Sequence, residues 1–259
     1  MPRATFRFYE ELNDHLPARR RKVEFDHEFP PRSTVKHVIE ALGVPHTEVE
    51  LILVNGHPVD FDHLLGEGDR VSVYPVFESL DVTPLVRLRP KPLRRVRFVL
   101  DVHLGRLATY LRLLGFDTLA PAGAKDEDLA RLAAQGRILL TRDRGLLKRR
   151  QVTHGYWLRS TRPREQLAEV LRRFDLFRLV DPFNRCLRCN HPLVEVARES
   201  VAAELPPRTL ELHQRFYRCP GCRRLYWEGS HHRAMERLVE EVRQMAPEGQ
   251  LQPSGGEIK

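Results

Sequence analysis

The segment FVLDVHLGRLATYLRLLGFDTL, residues 98–119, is the strongest indication of fold in this 259-residue chain. Its apolar run ends at Asp101, apolar residues then recur at helical spacing as far as Gly115, and a short second strand follows. Strand and helix continue to alternate downstream, with a third apolar strand at residues 137–141. This alternation predicts an α/β fold for residues 96–180, in which helices flank a parallel sheet.

Three aspartates follow the strands of this predicted sheet. Asp101 ends the first strand, Asp126 lies at the loop-to-helix junction after the second, and Asp143 lies two residues past the third. Ligands of open parallel sheets bind beyond the carboxyl ends of the strands, so we expect these carboxylates at one edge. Clustered carboxylates repel one another unless a hard cation lies between them, and Mg²⁺ or Mn²⁺ held there can position water against a phosphodiester.

Each of these aspartates also has a purely structural interpretation. Asp126 and its neighbour Asp128 could favour the N-terminus of a helix, and Asp143 could cap the short helix predicted after it. Considered together at one sheet edge of a basic protein, the three aspartates favour the metal hypothesis. The segment KDEDLA offers Asp126, Glu127 and Asp128 as the middle ligand, with Asp128 as the alternative to Asp126.

The four cysteines form two CxxC pairs separated by 29 residues. The pairs are Cys186 with Cys189 and Cys219 with Cys222. One CxxC turn brings two thiolates close enough to share a tetrahedral Zn²⁺, and two such turns complete a Cys₄ site with no open position for substrate, so we predict structural zinc. Disulfides and redox CxxC chemistry are the alternatives. The cysteines are paired, and the sequence shows neither a signal peptide nor a run of roughly 18 apolar residues. We therefore predict a cytoplasmic protein without a membrane partner.

Charge divides the chain into two parts. Residues 1–78 hold nine Lys and Arg against 14 Asp and Glu, whereas residues 79–259 hold 34 against 21. A basic part of this kind has the electrostatic signature expected of a protein that binds RNA or DNA. An arginine-rich solvated surface is the alternative.

Residues 1–78 are predicted to form a β-grasp domain. Two alternating strands precede a helix capped by Ser33 and ended by Gly43, and further strands follow around an Asn-Gly turn at residues 55–56. The segments LILVNGHPVD and GDRVSVYPV resemble those of small sulfur carriers and ubiquitin-like proteins. Those carriers need a free C-terminal Gly-Gly, whereas this domain continues into a basic, proline-rich linker at 79–95, so carrier chemistry is disfavoured.

Four segments resemble one known family, the PIN-like RNase domain named after the C-terminal part of the Mut-seven exonuclease. The segments are FVLDVHLGRLATYLRLLGFDTL (98–119), KDEDLARLAAQGRILLTRDRGLL (125–147), NRCLRCNHPL (184–193) and FYRCPGCRRLYWEGSHHRAM (216–235). Members join a PIN-type nuclease to a C-terminal zinc ribbon, and some carry an N-terminal ubiquitin-like domain. The resemblance implies that Asp101, Asp126 and Asp143 bind a divalent metal and that the four cysteines bind zinc.

These observations predict a metal-dependent ribonuclease of the PIN-like class whose structural zinc ribbon aids RNA binding. Expected partners are tRNA, rRNA or ribosome-associated RNA. The alternative is a non-catalytic RNA-binding adaptor whose β-grasp domain recruits a protein partner. The predicted parts are a β-grasp domain at 1–78, a linker at 79–95, a nuclease domain at 96–180, a zinc ribbon with a C-terminal helix at 181–245 and a disordered tail at 246–259.

Histidines and aromatic residues near these motifs have two interpretations. His231 and His232 could replace a cysteine at zinc or contact RNA, but with four thiolates available we predict packing or surface roles. Four aromatic residues could stack on bases, and core packing is predicted for at least half of them. They are Tyr156, Trp157, Tyr226 and Trp227.

Overall fold

The computed structural model describes residues 1–75 and 96–246, and for Ser230 and His231 it describes only the backbone. The predicted linker at 79–95 and nearly all of the predicted tail lie outside the described residues. The chain divides into two compact units, which are Met1–Val99 with Ala124–Trp157 and Leu100–Gly123 with Leu158–Lys259. Within the described ranges, no helix has both the length and the apolar composition needed to cross a membrane.

The N-terminal sheet has the β-grasp arrangement that the sequence predicts. Its strand order is β2-β1-β5-β3-β4, with β1 parallel to β5 and antiparallel to β2. The helix α1 contributes Val38 and Ile39 to a core that also contains Phe6 and Ile52. The elements are β1 (Arg3–Phe8), β2 (Phe25–Glu28), α1 (Val35–Ala41), β3 (Val49–Val54), β4 (His57–Pro58) and β5 (Arg70–Pro75).

The start of α1 differs from the prediction by one residue. Thr34, not Ser33, is the N-cap, because the Thr34 hydroxyl accepts the backbone N–H of His37 at 3.3 Å. The carbonyl of Ser33 accepts the backbone N–H of Leu65 at 3.1 Å, and Thr34 forms an antiparallel bridge with Leu64, so the chain stays extended up to Thr34. Gly43 follows the helix with φ +109°, the left-handed conformation expected at a helix end.

The central sheet confirms the α/β prediction. Its strand order is β7-β6-β8-β9, and β8 pairs with β9 in parallel. The strands β6 and β8 are buried along nearly their whole length, which explains their continuous rather than alternating apolar sequences. The elements are β6 (Arg97–Leu100), α2 (Gly105–Leu113), β7 (Asp117–Leu119), α3 (Asp126–Ala133), β8 (Ile138–Thr141), α4 (Arg144–Leu147), β9 (Gly155–Trp157) and α5 (Pro163–Arg173).

The C-terminal part forms a small antiparallel sheet followed by a long helix. The strand order is β10-β11-β12, and both strand pairs are antiparallel. The first CxxC pair precedes β10, and the second lies between β11 and β12, as a zinc ribbon requires. The elements are β10 (Val194–Val196), α6 (Pro207–Leu212), β11 (Phe216–Arg218), β12 (Leu225–Trp227) and α7 (Ser230–Gln244).

Candidate metal centres

The four cysteine sulfurs lie together, all within 4.8 Å of one another. The Sγ–Sγ distances are 3.2 Å for Cys189 to Cys219 and 3.5 Å from Cys186 to both Cys189 and Cys222. A tetrahedron of thiolates around Zn²⁺, with bonds of about 2.3 Å, has edges of about 3.8 Å. The cysteines therefore fit a zinc ion after a displacement of a few tenths of an ångström.

Each CxxC pair forms a turn whose backbone points a hydrogen-bond donor at sulfur. The N–H of Cys189 donates to Cys186 Sγ, and the N–H of Cys222 donates to Cys219 Sγ, both at 3.4 Å. Such bonds stabilise the thiolate form that binds metal. The first cysteine of each pair is buried and the second is half-buried. Four thiolates would complete a tetrahedral Zn²⁺ site with no position open to substrate.

Hydrogen bonding and burial make two of these thiols very different in acidity. Burial raises the pKa of Cys186, but hydrogen bonds from the Tyr226 hydroxyl and from backbone N–H groups outweigh burial and lower this pKa to about 6. Burial and the adjacent cysteine sulfurs raise the pKa of Cys189 to about 12, despite a backbone hydrogen bond from His191. Zinc binding must therefore release protons, and zinc affinity should rise with pH.

The buried arginine Arg112 joins the first CxxC turn to the helix α2. Its guanidinium donates to the Thr118 carbonyl at 2.9 Å. Within the CxxC turn, it also donates to the carbonyls of Leu187 at 2.9 Å and Arg188 at 3.0 Å. Burial lowers the pKa of Arg112, and the nearby cysteines partly offset that effect. One side chain therefore satisfies three carbonyls on two separate segments.

Two further side chains strengthen this junction between the CxxC turn and β7. Asn190 accepts the Thr118 backbone N–H at 2.9 Å, and its amide donates to the Asp117 carboxylate at 2.7 Å. Arg185 donates to the Gly115 carbonyl at 2.8 Å. The candidate zinc site is therefore connected to the edge strand of the central sheet by charged and neutral hydrogen bonds.

Replacing Arg112 with Met should lower the free energy of unfolding by about 3 kcal/mol, because three carbonyls would lose a charged donor. Urea denaturation of the full chain measures the difference. The matched control is Arg188→Met, the same change at an exposed arginine, for which we expect less than about 0.5 kcal/mol. Equal effects of the two substitutions would contradict the role of Arg112.

Of the predicted catalytic carboxylates, Asp101 directly follows β6 and Asp126 is the first residue of α3. The Asp126 carboxylate accepts a hydrogen bond of 3.3 Å from Arg149, which also donates to Glu127 at 3.0 Å. A hydrogen bond from its own backbone N–H, and after it the bond from Arg149, lowers the pKa of the Glu127 carboxyl. The start of α3 thus places the carboxylates of Asp126 and Glu127 next to one arginine.

Asp143 lies two residues beyond β8 and is the N-cap of α4. Its Oδ1 accepts the backbone N–H of Gly145 at 2.7 Å, and its own N–H donates to the Thr141 hydroxyl at 2.9 Å. The capping role that the sequence offered as an alternative is therefore present. A cap uses only part of a carboxylate's acceptor capacity, so capping and metal binding are compatible.

Asp128, the alternative middle ligand, is engaged at the start of α3. Its Oδ2 accepts the Lys125 backbone N–H at 3.2 Å, and its Oδ1 pairs with Arg131. Among the side chains that the structure describes, the four cysteines are the one group of three or more metal-ligating residues that converges within 4.8 Å. The assignment of three aspartates to a metal stays a prediction.

Comparison with known proteins identifies the family. The family model of the Mut7-C RNAse domain matches residues 96–239, more than half of the chain. The chain belongs to the Mut7-C RNAse domain family. The Mut7-C ubiquitin model matches residues 1–81, and membership supports a nuclease-like function in general terms.

Two further comparisons accompany the Mut7-C match. The chain is similar to the crystal structure of H. volcanii small archaeal modifier protein 1, at 15% identity over 30% of this chain and 100% of that chain, with a TM-score of 0.25. No match was found among curated proteins.

Residues around the Mut7-C motifs show the expected preference for packing. His232 stacks on Phe183 with ring centroids 4.2 Å apart. The side chain of His231 lies outside the described residues. Tyr156 is buried, and the Tyr226 hydroxyl lies 3.2 Å from Cys186 Sγ. Tyr156 therefore packs in the core, and Tyr226 contacts the cysteine site.

Sequence patterns did not indicate several polar residues that the Mut7-C fold buries. Arg112 lies within a helix that reads simply as amphipathic, and Asn190 is marked only by its position after a CxxC pair. His15 and Glu48 of the ubiquitin-like domain are also buried, although the local pattern gives no reason for it. The one sequence signal that could have indicated such a buried polar residue is its occurrence at a position where the pattern otherwise has apolar residues.

Proposed function

We propose that this protein is a metal-dependent ribonuclease that hydrolyses RNA phosphodiester bonds. The observation that carries the proposal is the match of residues 96–239 to the Mut7-C RNAse domain, a segment that includes the predicted aspartates and all four cysteines. The positions of Asp101 and Asp143 support it, since each comes just after a strand of the central sheet. Open parallel sheets bind their ligands there.

In this proposal, Asp101, Asp126 and Asp143 hold one or two Mg²⁺ or Mn²⁺ ions, and the cysteines hold structural Zn²⁺. A bound divalent ion of this kind activates water and stabilises negative charge on the phosphate. The carboxylates would bind and orient the divalent ion, and no side chain has to form a covalent intermediate. Arg149 already supplies a positive charge beside Asp126, so a divalent cation must compete with it.

The basic part of the chain supports an RNA substrate. Residues 79–259 hold 34 Lys and Arg against 21 Asp and Glu, which favours contacts to a phosphate backbone. We propose tRNA, rRNA or ribosome-associated RNA in the cytoplasm, with the zinc ribbon contributing to binding. RNA affinity should then fall steeply as salt rises.

The test is a cleavage assay with purified full-length protein that has been dialysed free of loosely bound divalent ions. Single-stranded RNA, duplex RNA and single-stranded DNA of one sequence are compared after addition of Mg²⁺, Mn²⁺ or Ca²⁺. We expect RNA cleavage with Mn²⁺ and Mg²⁺ and little with Ca²⁺, whose longer bonds and higher coordination number suit the site less well. Zinc content is measured in the same samples.

Two outcomes would contradict the proposal. Cleavage that does not depend on added metal would indicate a contaminating nuclease. RNA binding without cleavage under any condition would favour the alternative of a non-catalytic adaptor whose β-grasp domain recruits a protein.

A further inference from the structure

Polar side chains of the β-grasp domain are buried at one place. His15, His46 and Glu48 are 4%, 7% and 0% exposed. Buried polar groups need hydrogen-bond partners. Several of their partners lie in residues 142–157, which belong to the same compact unit as the β-grasp domain. We call residues 142–157 the α4–β9 segment.

Glu48 is at the centre of these contacts. Its Oε1 accepts the backbone N–H of Trp157 at 2.7 Å, and its Oε2 lies 2.9 Å from His15 Nε2. The ring of His15 lies 4.9 Å from that of Trp157. Trp157 is the last residue of β9 and pairs with Thr141 of β8. A single buried carboxylate therefore holds the end of the strand that lies beside β8.

Two more contacts hold the middle of the α4–β9 segment. His46 Nε2 lies 2.9 Å from the Val152 carbonyl oxygen. Lys148, at the end of α4, donates to the Glu40 carbonyl at 2.5 Å. The helix α4 is a single turn, and a helix this short depends on tertiary contacts for its orientation.

Asp143 lies between two residues that these contacts fix. The carbonyl of Arg142 accepts the indole N–H of Trp157 at 3.2 Å. The guanidinium of Arg144 donates to the His15 carbonyl at 3.1 Å and lies 5.2 Å from the Trp157 ring centroid. Both sequence neighbours of Asp143 are therefore anchored through groups that contact the β-grasp domain.

We propose that the β-grasp domain positions Asp143 and that Glu48 is the central positioning residue. The proposal rests on the proposed function, in which Asp143 binds the metal ion. Metal sites require ligands held within about 0.5 Å of the productive geometry. The domain thus has an internal role at this face, and the face is not free to recruit another protein.

Hydrogen exchange of the full-length protein tests the anchoring without RNA or divalent metal. In Glu48→Ala, we expect the amides of Trp157 and Gly145 to exchange at least about tenfold faster, because the first loses its acceptor and the second reports the Asp143 cap. Glu48→Gln should stay near wild type, since its amide oxygen can accept the same N–H. The matched control is Glu24→Gln, an exposed carboxylate of the same domain that pairs with Arg70.

Steady-state cleavage kinetics test the consequence for catalysis. For Glu48→Ala we expect kcat to fall by about tenfold, while KM for RNA stays within about twofold, because the variant displaces a metal ligand and not an RNA contact. Glu48→Gln should recover most of kcat. A merely structural role would lower the amount of folded protein without this separation of kcat from KM.

A folded Glu48→Ala protein with wild-type exchange at both amides would overturn the proposal. The proposal would also be overturned if Glu24→Gln accelerated exchange at these amides, or lowered kcat, as much as Glu48→Ala does. If Glu48→Ala does not fold, Trp157→Phe replaces it. Phenylalanine keeps the hydrogen bond from the backbone N–H to Glu48 but loses the hydrogen bond from the indole N–H to the Arg142 carbonyl. Faster exchange at Gly145 is then expected, and unchanged exchange overturns the proposal. A wild-type protein that cleaves no RNA would reject the proposed function, while the exchange data would still decide whether Glu48 anchors the Asp143 turn.

Discussion

The Asp143→Asn protein is expected to fold as the wild type does and to cleave RNA at least about 10³-fold more slowly. That factor corresponds to a loss of about 4 kcal/mol of transition-state stabilisation when the metal ion loses a charged ligand. Asparagine caps helices as well as aspartate does, so its amide oxygen can keep the 2.7 Å bond to the Gly145 N–H. The substitution therefore removes the charge and retains the cap. Mn²⁺-dependent cleavage and thermal unfolding are measured on one preparation.

Three related variants make this test specific. Asp101→Asn should cause a similar loss of cleavage. Asp128→Asn tests the alternative middle ligand, and it should stay within a few-fold of wild type because Asp128 already accepts the Lys125 backbone N–H at the start of α3. Asp126→Asn compared with Asp128→Asn identifies the middle ligand. Persistent cleavage in both Asp101→Asn and Asp143→Asn would reject the carboxylate site.

The Cys189→Ser protein is expected to lose most of its zinc, from about one ion per chain, and much of its stability. A structural zinc site contributes on the order of 10 kcal/mol, comparable with the total stability of a typical domain. The loss should spread beyond the ribbon, since Arg112 and Asn190 connect the first CxxC turn to α2 and β7. Elemental analysis, thermal unfolding and hydrogen exchange of α2 and β7 measure the three effects.

Tyr226→Phe is the control for the zinc prediction. It removes the hydroxyl that lies 3.2 Å from Cys186 Sγ but leaves all four thiols, so zinc should be retained. An unchanged zinc content and melting curve in Cys189→Ser would contradict the zinc assignment. Faster exchange limited to the ribbon, with α2 and β7 unaffected, would show that the contacts of Arg112 and Asn190 do not transmit the loss of stability to α2 and β7.

Local sequence predicted the elements because each depends on neighbouring residues. The continuous apolar run before Asp101 predicts a buried strand, and β6 is buried. Gly115 was predicted to end α2, and its φ of +93° is a conformation that glycine adopts without strain. The N-cap predicted for α1 was wrong by one residue, because a bridge between Thr34 and the distant Leu64 keeps the chain extended up to Thr34.

By itself, the sequence determined the fold class, the family resemblance and the pairing of the cysteines into two CxxC turns, since periodicity and CxxC spacing are local properties. The tertiary structure alone decided the partners of the buried polar groups. Glu48 and Trp157 are 109 residues apart, and Arg112 and Leu187 are 75 apart. Desolvation makes an unpaired buried polar group costly, yet it does not say which residue will pair with it. Packing brings the partner into place, so such pairs appear only once the chain has folded.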